Sequence, residues 1–167
     1  MTSLRSPGRE VMRQRSPGAA TLTGIRRFLL LLFLLGVIGT GVELILLGHT
    51  EGPWQWAPIA LMTFSLATLI SHLAVSGPAS LRVFQGTMAL FVLSGAVGLW
   101  LHYHGNAEFE LELYPARRGF ELFRESLTGA TPTLAPGAML ELGLLGLAYT
   151  YRHPRFGGTE PAEGADS

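Results

Sequence analysis

The stretch FLLLLFLLGVIGTGVELILLG, residues 28–48, decides the fold class. It holds one ionisable residue, Glu43, in 21 positions. A bilayer core of about 30 Å needs roughly 20 helical residues, so the run has the length and apolarity of a crossing. Backbone amides cannot go unpaired in hydrocarbon, which makes such a crossing helical. A cleaved leader has a shorter core and a small-x-small cleavage site, and neither occurs here. The pair Arg26-Arg27 invites a twin-arginine reading, but the long Leu-rich core that follows favours a transmembrane helix.

Three more segments resemble the first: about 57–76, 83–103 and 134–151. The sequence predicts an all-α integral membrane protein with four transmembrane helices. Composition agrees, because 48% of residues are hydrophobic and 14% charged, against about 25% charged in soluble domains. Nine arginines (5, 9, 13, 15, 26, 27, 82, 152, 155) fall on one side of the four segments and three (117, 118, 124) on the other. The basic side faces the cytoplasm, so both termini are expected inside. All 12 basic residues are Arg, which suggests a bacterial genome and an inner-membrane location. Trp54, Trp56, Trp100 and Tyr103 then sit at the outer interface.

Residues 1–24 read as a disordered basic tail, 25–155 as the transmembrane domain and 156–167 as a disordered acidic tail. The helices suggest two related hairpins. IRRF (25–28) matches LRVF (81–84), FLLGVIG (33–39) matches FVLSGAVG (91–98), and APIALM (57–62) matches APGAML (135–140). Chance similarity among Leu/Gly/Ala-rich helices explains these matches equally well. The offset between copies grows from 56 to 78, which leaves an outer-loop insertion of about 22 residues near 105–130. Small residues recur at four-residue spacing: Thr63, Ala67 and Ser71; Ser94 and Gly98; with Gly36, Gly39 and Gly41. Such rows let helices approach closely in lipid.

The insertion holds the first candidate site. Gly105-Asn106 is a helix-stop signal, and EFELELY (108–114) alternates as an extended segment would. Pro115 ends it, and residues 116–127 read as a short amphipathic helix. His102, His104 and Glu108, with His49 from the first loop, could bind zinc, copper or nickel. The alternative is that these residues form an ordinary interfacial helix end.

Within the apolar segments, Glu43 and Glu141 are expected at one depth in the outer third of the bilayer. They either share a proton- or cation-binding site or bond separately to neighbouring helices. His72 and Gln85 pair at similar depth on the inner side, where a packing hydrogen bond is the simpler reading. Haem has weak support: His72 lacks an intramembrane histidine opposite it, leaving only His49 with His102.

There is no Cys, Walker loop, G-x-S-x-G elbow, H-E-x-x-H or dinucleotide fingerprint. The basic tail lacks interleaved aromatics, so nucleic acid is not an expected partner. The sequence therefore points to a non-enzymatic accessory or scaffold subunit in the bilayer, joined to a protein partner or to further copies of itself. The second reading is a periplasm-facing cation binder or carrier that uses Glu43, Glu141 and the outer histidines.

Overall fold

A computed structural model describes residues 17–48, 50–75, 77–129, 131–133 and 135–156, and these are all helix, turn or loop. The helices are α1 (Pro17–Leu46), α2 (Pro53–Ala74), α3 (Pro78–Leu113), α4 (Gly119–Leu127) and α5 (Gly137–Thr150). A 3-10 turn, Pro154–Phe156, follows. Pro53 and Pro78 open α2 and α3 behind the extended Gly52 and Gly77. A first-turn proline fits because it lacks an N–H that would have no intrahelical acceptor. Gly48, at φ 65, turns the chain out of α1.

α1, α2 and α3 are each long and apolar enough to cross a membrane. Only 11% of the apolar window of α1 is buried by the rest of the chain, so most of its Leu and Ile side chains face outward. A protein folded for water rarely exposes so much contiguous apolar surface. α5 is equally apolar but has 14 residues, about 21 Å, which is short of the bilayer core.

α3 and α5 form the centre, with α2 against α3 and α1 against α5. Phe33 of α1 reaches between them, its ring 5.7 Å from Phe84 and 6.2 Å from Phe91. Arg26 near the start of α1 donates to the carbonyls of Tyr151 and Arg152 after α5, at 3.3 and 2.8 Å. The first described turns of α1 and the end of α5 therefore meet at one end of the bundle, called here the terminal end. α4 and the α1–α2 turn lie at the other, the loop end. The α1–α5 and α3–α2 pairings are those a twofold repeat would give. Packing within the hairpins differs, however: α3 grips α5 tightly, whereas α1 barely meets α2.

Glycine makes that grip possible. A Cβ on Gly95 would lie 2.5 Å from the Leu140 backbone nitrogen, and one on Gly143 would lie 2.8 Å from the Met88 carbonyl oxygen. Gly98 closes on Pro136, and Gly36 of α1 on Leu142.

Two expectations fail here. Residues 17–24 are helical rather than disordered. Pro17 starts the helix, Ala19, Ala20 and Leu22 favour it, and the apolar run downstream is already helical, so extension needs no new nucleus. Residues 1–16 and 157–167 lie outside the described residues.

The extended segment at 108–114 is also absent, because α3 continues to Leu113 with Tyr114 as its C-cap. Its Glu, Leu and Phe residues are compatible with helix, and Gly105-Asn106 does not stop it. Asn106 is 3% exposed and acts as a peg for the loop. Its Nδ2 reaches the carbonyls of Ser126 and Thr131 and Oγ1 of Thr133, at 2.9, 2.7 and 3.0 Å. Its Oδ1 accepts from the N–H and hydroxyl of Thr131, at 3.1 and 2.6 Å. α4 packs along α3, with Ser126 buried and Phe120 and Phe123 outward. Asn106→Ala removes the five bonds that tie the loop to α3. The Thr133 hydroxyl keeps its bond to the Ser126 carbonyl at 2.9 Å and the exposed Thr131 turns to water, so the loop loosens. Trypsin is expected to cut at the exposed Arg124 roughly tenfold faster in that variant, with the rest of the bundle intact. Unchanged cleavage would show that the peg is dispensable.

Candidate functional site

The residues predicted to hold metal at the loop end do not converge. His102 and His104 lie on a continuous helix, where residues two apart point to different sides. His102 donates from Nδ1 to the Pro132 carbonyl at 3.1 Å, tying the loop before α5 to α3. His104 is solvent-facing, its ring 5.1 Å from Trp100 and its Nδ1 3.8 Å from Glu108. His49 lies outside the described residues. Among the described residues no three His, Asp or Glu side chains come together. The remaining polar groups at this end pair locally: Arg117 binds Glu110, reaches Glu121 at 3.4 Å and stacks 3.9 Å from the Tyr114 ring centroid.

Glu43 and Glu141 are not brought together either. Both are exposed on the outside of the helices, and among the described residues neither side chain has a hydrogen bond or ion pair. The Gly36–Leu142 contact sets Glu141 level with about Val37. Glu43 stands six residues further towards the loop end, about 9 Å away along the bundle.

The structure instead assembles a polar cluster at the terminal end, around a residue the sequence had paired elsewhere. His72, two residues from the end of α2, is 0% exposed. It bonds not to Gln85 but to Tyr149 of α5, with Nε2 3.3 Å from the phenol oxygen. Its Nδ1 lies 3.4 Å from Ser80 Oγ at the start of α3. The Ser80 hydroxyl also reaches the Gly77 carbonyl at 2.9 Å.

Phe84 stacks on the imidazole at 6.4 Å, and the His153 ring stands edge-on to it at 5.7 Å. His153 is also 5.5 Å from the Tyr149 ring. A second histidine thus stands beside His72, supplied by the turn after α5 rather than by an apolar helix. Depth counting along a straight α5 carries His153 out of the bundle. The chain instead turns back at Arg152, which has φ 45, and His153 N–H donates to the Thr150 carbonyl at 3.1 Å. The Arg26 clamp holds this turn from α1.

The small-residue rows divide into used and unused. Gly36 and Gly98 are filled by neighbours within the chain, and Gly41 lies against Met62. The row Thr63, Ala67 and Ser71 on α2 is exposed along its length. It borders a groove of about 280 Å³ lined by Phe64, Ala67, Thr68 and Ser71 of α2 and Ser80 and Val83 of α3.

The described residues thus form an all-helical fold with three helices able to span a membrane, a buried histidine cluster and an open groove between α2 and α3. No family model, curated protein or solved structure matches the chain.

Proposed function

We propose that this protein is a non-enzymatic accessory or scaffold subunit of a bacterial inner-membrane complex, with both termini cytoplasmic and a partner's transmembrane helix seated in the α2–α3 groove. In this reading α5 is the fourth crossing, its short helix completed by the turns at 135–136 and 151–156. The observation that carries the proposal is the exposed Thr63–Ala67–Ser71 row. Small residues at four-residue spacing favour close helix contact in lipid, and no described helix of the chain covers these.

The double substitution Ala67→Leu/Ser71→Leu fills the groove without touching the core. It is expected to reduce recovery of the bound partner at least roughly tenfold, about 1.4 kcal/mol, with the fold unchanged. Full retention of the partner would remove the groove from the account.

Cation handling is the second reading, and one observation favours it. Glu43 and Glu141 are exposed inside apolar helices and have no partner among the described residues, and an ionised carboxylate there costs at least about 2 kcal/mol. A docked subunit can supply their hydrogen-bond donors, and so can a bound cation. Glu43→Gln and Glu141→Gln keep a hydrogen-bonding head without the charge. The accessory role predicts partner recovery within about twofold of wild type in both variants, ~0.4 kcal/mol. A proton or cation carrier would lose transport with either change.

A further inference from the structure

We infer that Arg26, Arg27 and Arg152 form a binding site for the phosphodiester of one anionic phospholipid at the terminal end of the bundle. The site belongs to the reading of α1–α3 as bilayer-crossing helices, lies apart from the α2–α3 groove and needs no partner.

The fold gathers these side chains from distant parts of the chain. Arg26 donates to the Arg152 carbonyl, which brings Arg152 beside α1 although it lies 126 positions later. Both bonds that Arg26 makes to the turn use Nη2, so its Nε and Nη1 have no partner among the described residues. Arg27, next on the helix, is exposed and makes no hydrogen bond or ion pair among the described residues. Arg152 is exposed too, its guanidinium 5.9 Å from the Tyr151 ring centroid. A guanidinium presents its N–H groups as a planar fork that grips phosphate oxygens two at a time.

The charge pattern calls for an anion. Among the described residues, no Asp or Glu precedes Glu43 in α1 or Glu108 in α3, none lies in α2 and none follows Glu141. The loop end differs: there Arg117 pairs with Glu110 and Glu121, and Arg124 with Glu125. The described chain thus supplies counter-charge at the loop end and none at this one.

Position selects the source of the phosphate. The apolar run 28–48 has 21 residues, about 32 Å of helix, close to the roughly 30 Å core of a bilayer. It begins directly after Arg27, so Arg26 and Arg27 fall at the edge of the hydrocarbon, level with lipid headgroups. Phe28, Leu31 and Leu32 are exposed along α1 from that point and offer a surface to acyl chains.

The test is native mass spectrometry of the full chain, stripped of lipid in mild detergent and titrated with phosphatidylglycerol, phosphatidylcholine or inorganic phosphate. The expected result is one retained phosphatidylglycerol per chain, bound at least about tenfold more tightly than phosphatidylcholine and not displaced by inorganic phosphate. Arg27→Gln/Arg152→Gln, which leaves the Arg26 bonds in place, should weaken that binding at least about tenfold. Arg118→Gln/Arg124→Gln at the loop end should leave it unchanged. Equal retention of the two lipids would overturn the site, and displacement by inorganic phosphate would make it a site for a free anion instead. Wild-type retention in the Arg27/Arg152 variant would also overturn it, leaving those arginines to the acidic groups of a partner.

Discussion

Gly143→Ala is expected to destabilise the protein by about 3 kcal/mol, although it adds a single methyl group. The new carbon would lie 2.8 Å from the Met88 carbonyl oxygen and 2.8 Å from the Val92 nitrogen, both backbone atoms of α3. Neither can rotate away, so α3 and α5 must separate along their whole contact. Overpacking of this kind costs about 1–3 kcal/mol and occasionally more. Two comparisons isolate the cause. At Gly146 the added carbon would meet only the Met88 side chain, which can turn aside, so the loss should be smaller. At Gly39 nothing lies within 4 Å, and alanine there should gain up to about 1 kcal/mol through helix propensity. Thermal unfolding in one detergent should therefore order the proteins as Gly39→Ala, wild type, Gly146→Ala, Gly143→Ala. Equal midpoints for the two α5 variants would show that the α3–α5 contact is looser than described.

His72→Ala is expected to have a comparable effect, again about 3 kcal/mol. It opens a cavity beside Phe84 and removes a partner from both the Tyr149 phenol and the Ser80 hydroxyl. Tyr149→Phe keeps the ring and loses one hydrogen bond, so its loss should be near 1 kcal/mol. The two residues are in contact, so their effects should not add. A double variant that falls short of the sum by roughly 1 kcal/mol would confirm the bond, and strict additivity would contradict it.

The fold was legible where a long apolar run determines the local state. Residues 28–48 read as a helix and are helical through Leu46, because nothing in them competes with that state. It was illegible where two local signals conflicted. Alternation in EFELELY describes a strand, yet those residues extend an existing helix, and Asn106 gains more as a peg for Ser126 and Thr131 than as a stop. The tight glycines were half legible. Gly36 and Gly98 were among the small residues that stood out, whereas Gly95 and Gly143, which bring the backbones of α3 and α5 together, were not.

The histidine cluster shows the same limit. His72 stood out as a polar residue in an apolar helix, but its neighbours are set by tertiary structure. Tyr149 faces it from a helix 77 positions later, and His153 reaches it only because Arg152 adopts a left-handed backbone. The only available hint was the density of polar rings in YTYRH, residues 149–153. At the loop end the candidate metal ligands were named from spacing. Continuous helix at 102–108 then pointed His102 at Pro132 and His104 at solvent.

The sequence has no cysteine, so the α2 row can be tested directly as the face that meets another chain. Single cysteines at Ala67 and Ser71, with Leu35 and Ile38 of α1 as exposed controls, would be crosslinked in intact membranes. The predicted result is one discrete adduct from both α2 positions and none from the α1 positions. Adducts of equal yield from α1, or none from α2, would contradict the docking face and leave α2 in contact with lipid alone.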